Sequence, residues 1–144
     1  MESKQLSFAD GLVSYGLNGK FDLIFNPTDS AFVERLFNTF YDLDKKQAEV
    51  EKEFEKADKR EVFEIARKRD AEMRDMIDSA LEAPVCDAVF GRMNVYALAN
   101  GLPAWANMLL SVMDEIETSF AREQKQMDIR IRKYSEKYKK YKRK

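Results

Sequence analysis

Few types of residue in this sequence could carry out catalysis or bind a metal ion, because it contains no histidine and a single cysteine, Cys86. Histidine is the usual acid/base group near neutral pH, and the common zinc sites are built from His and Cys ligands. Cys86 lies in the apolar run Pro-Val-Cys-Asp-Ala-Val-Phe, with no cationic residue within four positions. We therefore predict a buried, inert thiol and no intrachain disulfide.

The numerous carboxylates do not form a catalytic pattern. The acidic residues of the most acidic stretch alternate with apolar or basic neighbours, which is typical of a solvated helix face: Glu49, Glu51, Glu53 and Glu55. The glycine-rich phosphate-binding patterns GxGxxG and GxxxxGK[ST] do not occur. We expect no catalytic, cofactor-binding or metal-binding residues, and a protein that is not an enzyme.

The composition predicts that long helices position these side chains. Of 144 residues, 35% are charged and only eight are Gly or Pro, which implies few turns and much charged surface in a single domain. No stretch approaches the roughly 18 uncharged apolar residues of a membrane span, and the start of the chain lacks a secretory signal. We expect a cytoplasmic protein that does not bind membranes.

Residues 12–25 predict a β-hairpin around Asn18-Gly19, a pair favoured in two-residue turns. That turn would place Leu17 opposite Lys20, Ser14 opposite Leu23 and Leu12 opposite Phe25. One apolar face would then contain Leu12, Phe21, Leu23 and Phe25. This face must pack on helices of the same chain or pair with the edge of a second copy.

The stretch from Asp29 to Ala83 contains no Gly or Pro and predicts helix, with Thr28 or Asp29 as the cap. A first apolar stripe, with Gln47 at a gap, comprises Leu36, Phe40, Leu43, Val50, Phe54 and Ala57. A second, out of phase with the first, comprises Val62, Ile65, Met73, Met76, Ile77 and Ala80. The phase change near 57–61 allows a helical hairpin, or a long central helix of a coiled-coil oligomer. The residues predicted for self-association are Phe21, Leu23, Phe25, Leu36, Phe40 and Leu43.

Three further helices are predicted after Ala83. Pro84 opens a helix from Val85 to Phe90 with Gly91 as its cap, and Asn94 caps a short helix over 95–99 that Asn100-Gly101 ends. Pro103 opens the last helix, whose apolar positions are Trp105, Leu109, Val112, Met113, Ile116 and Phe120. The expected fold is therefore α+β, mainly α, with an N-terminal hairpin followed by four to five helices in one domain, 1–129.

Residues 130–144 form a basic tail, with nine basic residues against one acid. We predict a frayed helix or a disordered segment. Its interleaved Tyr134, Tyr138 and Tyr141 would suit nucleic acid, but their helical spacing suits a protein partner equally well, and a solvated tail needs no partner at all.

The methionines and the tryptophan of the last helix suggest a surface that holds apolar segments of another protein, although such residues on a helix stripe more often pack in the core. The predicted partner-binding residues are Trp105, Met108, Leu109, Val112 and Met113.

Residues 84–116 carry a resemblance to a known family. The features are Val85-Cys86-Asp87, Val89-Phe90-Gly91, Asn94, Gly101-Leu102-Pro103, Trp105, Asn107 and Glu115. In these residues the chain resembles the tail assembly chaperones of long-tailed bacteriophages that infect Gram-positive bacteria. An N-terminal strand pair, a charged middle and a lysine-rich end extend the likeness.

The resemblance implies a non-structural assembly factor that coats the helical, aggregation-prone tape measure protein before tail tube subunits replace it. It further implies a homo-oligomer in the host cytoplasm, contact with the tail tube protein as a second candidate partner, and a longer form made by ribosomal frameshifting. The alternative hypothesis is a small phage regulator that binds nucleic acid or a host protein through the basic tail.

Overall fold

The computed structural model of the chain describes the backbone of residues 1–142, and the side chains of these residues except 128, 130, 131 and 134–142. Within this part the elements follow in the order β1 (Val13–Leu17), β2 (Phe21–Phe25), α1 (Ser30–Lys56), α2 (Lys59–Leu81), α3 (Val85–Phe90), β3 (Leu98–Ala99), β4 (Leu102–Pro103) and α4 (Ala104–Lys142). The predicted α+β, mainly helical class with an N-terminal hairpin is confirmed. Most side chains of the predicted basic tail lie outside the described residues.

The β1–β2 hairpin forms where it is predicted, but its register differs by one residue. Leu17 pairs with Phe21 and Val13 pairs with Phe25, because Lys20 joins Asn18 and Gly19 in the loop. Asn18 and Gly19 both have positive φ, as an Asn-Gly turn requires. The predicted pairs Leu17–Lys20, Ser14–Leu23 and Leu12–Phe25 are therefore wrong.

Tertiary packing explains this register. Opposite the apolar residues of β2, the observed pairing places Tyr15 and Leu17, which pack against the core, whereas the predicted pairing would have placed Ser14 and Gly16 there. Tyr15 stacks on Phe25, which stacks on Phe32 of α1. The observed register thus packs Tyr15 and Leu17, partly buried, against the core, whereas Leu12 stays exposed outside the strand.

Helices α1 and α2 form the predicted helical hairpin rather than one continuous rod. Asp29 caps α1 by accepting a hydrogen bond from the backbone N–H of Ala31. Ala57 is extended, and Asp58 caps α2 by accepting from the N–H groups of Arg60 and Glu61, both at 2.9 Å. The chain reverses because extended backbone and a strong N-cap follow each other there.

The two apolar stripes face each other in this hairpin. Leu36, Leu43 and Val50 of α1 are fully buried, as are Met73 and Ile77 of α2. Both helices enclose the same core as α3, the β1–β2 hairpin and the first turns of α4. A single hydrophobic core therefore connects all the large elements.

Helix α3 spans the predicted residues, with Pro84 before it and Gly91 as its C-cap. The predicted short helix over 95–99 is wrong: residues 98–99 form β3, which pairs with β4. Asn100 and Gly101 both have positive φ and make the two-residue turn between these strands. The Asn-Gly signal thus marks a hairpin here, where we predicted the end of a helix.

Candidate functional site

The single thiol is in the core and is not activated. Cys86 is fully buried, and its Sγ donates to the carbonyl oxygen of Arg74 at 3.8 Å. Burial, and then the negative charge of Asp78, raise the pKa of the Cys86 thiol well above its usual range. Cys86 therefore stays a neutral packing residue, as the apolar sequence around it predicts.

Two partly buried carboxylates between α1 and α2, those of Glu53 and Glu72, are bound by cations. Arg69 on α2 donates to Glu53 on α1 and to Glu72, and Lys46 contacts the same Glu72 carboxylate at 3.4 Å. The hydrogen bond from Arg69 is the main cause that lowers the pKa of Glu72. Glu53 and Glu72 therefore hold α1 against α2 through Arg69, and Glu72 lacks the raised pKa expected of a general acid.

The residues predicted to bind a partner lie in the core of the chain itself. Four are buried and the fifth is partly buried: Trp105, Met108, Leu109, Val112 and Met113. The Trp105 indole donates from Nε1 to Oε1 of Gln47 at 3.1 Å and meets the Phe40 ring edge to face. In the described conformation these side chains are therefore not accessible to a partner protein. Packing in the core accounts for the apolar composition of this part of α4.

The residues predicted for self-association also pack within the chain. Leu23, Phe25, Leu36 and Leu43 are buried, and Phe21 and Phe40 pack partly buried against them. This matches the intrachain alternative for the hairpin face. None of the six presents a large apolar surface to a second copy.

A cleft between the first hairpin and the start of α4 is the better candidate for binding. Its volume is about 660 Å³. We call it the turn cleft; it is lined by Gly16, Leu17, Asn18, Lys20, Val89, Phe90, Met93, Ala99, Asn100, Ala104, Asn107, Met108 and Ser111. Lys20 is the only charged residue among these, whereas charged residues make up 35% of the chain. Met108 is the predicted partner-binding residue that reaches this cleft.

One wall of the turn cleft is the loop that carries Met93, and α2 fixes its backbone. Arg74 donates to the carbonyl oxygens of Gly91 and Met93 at 2.8 and 2.7 Å, and it also contacts Asp70 and Asp87. Burial alone would lower the pKa of Arg74, but the two carboxylates outweigh it and raise the pKa. A permanently charged clamp therefore sets the position of Met93.

The β3–β4 hairpin forms the adjoining wall and adds exposed apolar residues. Because Ala99 pairs with Leu102, both side chains share one sheet face, and Ala99 lines the cleft. Leu98 lies on the opposite face. Asn107 of α4 donates to the carbonyl oxygen of Ala99 at 2.8 Å and fixes the hairpin against the helix.

The sequence does not predict this candidate surface, because the pattern over 95–99 predicts a helix in place of a hairpin. Met93 and Leu102, which flank this segment, are exposed by 48% and 41%. The signal that could have located them is the second Asn-Gly pair, which predicts a tight hairpin as strongly as the first does.

A second depression is less suited to an apolar partner. It lies between β2, α1 and the end of α2, with a volume of about 420 Å³. Its lining includes the charged residues Asp22, Asp29, Arg35 and Glu82. Desolvating these groups would oppose the binding of an apolar segment.

Comparison of the chain with protein-family models, with curated proteins and with solved structures finds no match. Among the residues that the structure describes, no three His, Cys, Asp or Glu side chains are grouped so that they could hold a metal ion. None of the helices in the described part is both long and apolar enough to cross a bilayer.

Proposed function

We propose that this chain is a non-catalytic phage tail assembly chaperone, which binds apolar helical segments of the tape measure protein in the turn cleft. The observation that carries the proposal is the composition of this cleft, with one charged residue among thirteen in a highly charged chain. A concave surface that combines apolar side chains with a few uncharged polar groups is suited to binding. It offers no group that would turn over a substrate.

The cleft has the properties that a helix-binding groove needs. Its volume of about 660 Å³ accommodates a few apolar side chains of a partner helix. Met93 and Met108 are flexible and polarisable, so they can adapt to apolar side chains of different shape. A partner with many similar helical segments requires this tolerance.

The resemblance to tail assembly chaperones supports the same assignment. Residues 84–116, which carry it, supply much of the cleft, including Phe90, Met93 and Asn107. Trp105 is buried and bonded to Gln47, so it stabilises the start of α4 while neighbouring residues line the cleft. Assembly takes place in the host cytoplasm under this proposal, and the tail tube protein is the next partner in sequence.

Co-expression with the tape measure protein of the same phage tests the proposal. We expect the wild-type chain to raise the soluble yield of the tape measure protein. The double variant Met93→Glu/Leu102→Glu should weaken binding about tenfold or more, since a carboxylate buried without a partner costs more than about 1.4 kcal/mol. Pull-down and calorimetry with apolar tape measure fragments measure the same loss directly.

Leu98→Glu is the matched control, because Leu98 is also exposed, at 74%, but lies on the other face of the same hairpin. It should leave the soluble yield unchanged. The proposal is wrong if the wild-type chain does not solubilise the tape measure protein. The assignment to the turn cleft is wrong if all the variants solubilise it equally.

The alternative hypothesis, a regulator that acts through the basic tail, stays a prediction, since most side chains of residues 130–144 lie outside the described residues. It predicts binding to DNA that weakens steeply with salt and is lost when residues 130–144 are deleted. The chaperone proposal predicts that the same deletion largely preserves solubilisation of the tape measure protein.

A further inference from the structure

The turn cleft has an apolar floor and a polar rim. Val89, Phe90 and Met108 line it and are buried, whereas the lining residues Lys20 and Ser111 are exposed. An apolar centre surrounded by a polar rim is typical of protein–protein interfaces. Because the floor accepts any apolar side chain of suitable size, discrimination between apolar segments depends on the rim.

Lys20 places a positive charge on this rim. Its backbone N–H donates to the carbonyl oxygen of Leu17 at 2.9 Å, so the turn fixes the backbone of Lys20 while the side chain is exposed. Among the residues that the structure describes, no carboxylate oxygen lies within 4.0 Å of the Lys20 ammonium nitrogen. The described part of the chain therefore does not neutralise this charge with an ion pair.

The wall formed by α4 differs from the wall formed by the first hairpin. Asn107 donates from Nδ2 to the carbonyl oxygen of Ala99 at 2.8 Å, and the Ser111 hydroxyl donates to the carbonyl oxygen of Met108 at 2.6 Å. A serine hydroxyl has one proton, so this bond leaves the Ser111 oxygen as an acceptor only, and the Asn107 amide oxygen is also an acceptor. The hairpin wall thus offers an anion a full positive charge, whereas the α4 wall offers it mostly oxygen atoms.

We propose that the turn cleft selects apolar helical segments that carry a carboxylate about one helical turn from the side chains that enter the cleft, and that Lys20 binds this carboxylate. The inference rests on the proposed function and defines its partner more narrowly. One helical turn rises about 5.4 Å, a distance that the flexible four-carbon stem of lysine can span. Because the charge lies on the hairpin wall alone, Lys20 also sets the orientation of the bound segment.

The ion pair with Lys20 affects selectivity more than total affinity. An exposed ion pair raises affinity by at most about fivefold, and burying an apolar side chain on the floor of the cleft raises it more. A partner with a cation in place of the carboxylate would be repelled by Lys20. The difference in affinity between acidic and basic segments is therefore larger than the contribution of the ion pair itself.

The net charge of the chain opposes an acidic partner, but this repulsion acts over longer distances. Residues 1–129 contain more acidic than basic residues. At an ionic strength of about 0.15 M, charges more than about 8 Å apart are largely screened, whereas the two groups of an ion pair are in contact. The attraction by Lys20 therefore decides the preference of the cleft. A single cation is too few for nucleic acid, whose binding requires several phosphate contacts.

Calorimetry of the full chain with three helical peptides tests the inference. The peptides share one sequence of Leu and Ala and differ only at a position one turn from the leucines, which is Glu, Gln or Lys. We expect the Glu peptide to bind about threefold more tightly than the Gln peptide and about tenfold more tightly than the Lys peptide. Equal binding of all three would overturn this inference and leave the proposed function intact. If none of them binds, both are wrong.

Charge reversal identifies the residue responsible. Lys20→Glu should invert the order, so that the Lys peptide binds about fivefold more tightly than the Glu peptide. Lys52→Glu is the matched control, because Lys52 is also exposed and its reversal changes the net charge equally, but it lies on α1 and does not line the cleft. It should keep the wild-type order. The same inversion in both variants, or in neither, would refute the role of Lys20. Far-ultraviolet circular dichroism verifies that each variant folds.

Discussion

Asp78 on α2 caps a helix to which it does not belong. Its carboxylate accepts hydrogen bonds from the backbone N–H groups of Val85 and Cys86, each at 3.0 Å. Pro84, at the N-cap position of α3, has no side-chain oxygen that could do this. The start of α3 therefore depends on a residue from the preceding helix, and α3 positions Val89 and Phe90 in the turn cleft.

We predict that Asp78→Ala lowers the free energy of unfolding by about 1 to 2 kcal/mol, because two N–H groups lose their acceptor. Asp78→Asn should retain most of the stability, since its amide oxygen can still accept. Urea denaturation measures both effects. Asp75→Ala, at an exposed position of the same helix, is the control and should change stability by less than about 0.5 kcal/mol. A loss as large at Asp75 would contradict the capping role.

At the scale of the elements, charged side chains bridge the two helices of the helical hairpin beside the apolar stripes. Arg69 on α2 bridges Glu53 on α1 and Glu72, and Lys46 reaches Glu72 from α1. These groups are partly exposed, so water screens each pair. Their arrangement as a connected network between two helices still makes α1–α2 packing sensitive to the protonation of Glu72.

The lowered pKa of Glu72 predicts acid sensitivity. A carboxylate whose pKa is lower in the folded than in the unfolded chain stabilises the fold above the unfolded pKa. This stabilisation is lost as the pH falls through the folded pKa. We therefore expect stability to decrease as the pH falls below the ordinary glutamate value of 4.5. The decrease should be smaller in Arg69→Met, because Glu72 loses the hydrogen bond that lowers its pKa.

The loss of stability in acid is measured by comparing the urea midpoint near neutral pH with that in acid, for the wild type and for Arg69→Met. Arg67→Met is the control, because Arg67 is exposed on the same helix and should retain the wild-type dependence on pH. If Arg69→Met and the wild type lose stability equally in acid, the network does not have the role we assign to it.

At the scale of the whole molecule, the N-terminal hairpin belongs to the same core as the helices. The rings of Tyr15, Phe25 and Phe32 are stacked in sequence, with centroids 4.8 and 4.6 Å apart, and Tyr15 also donates to Glu115 of α4 at 3.2 Å. A two-stranded hairpin is only marginally stable alone. Its folding is therefore coupled to that of α1 and α4.

We expect Phe25→Ala to destabilise the whole domain by about 3 to 5 kcal/mol, since it leaves a cavity in the shared core. Trp105, the single tryptophan, lies in that core, so its fluorescence and the far-ultraviolet circular dichroism should shift together. Ile24→Ala, on the exposed face of the same strand, should have a small effect. If fluorescence keeps the wild-type midpoint in Phe25→Ala, the hairpin unfolds separately.

The sequence by itself determined where most helices begin and end. Each sequence signal coincides with the end of a helix in the structure: Asp29 before α1, the phase change before α2, Pro84 and Gly91 on either side of α3, and Pro103 before α4. These signals are local: a cap or a proline affects backbone groups within about four residues of itself. The inert Cys86 was predictable for a similar reason, because its neighbours in sequence are apolar.

Only the tertiary structure decided the register of the first hairpin, the second hairpin in place of a predicted helix, and which apolar residues reach the surface. Trp105 and Leu109 are core residues, whereas Met93 and Leu102 are exposed beside the turn cleft. Both pairs are equally apolar in sequence. Their burial depends on contacts with α1, α2 and the hairpin tens of residues away, and helical or strand periodicity carries no information about these contacts.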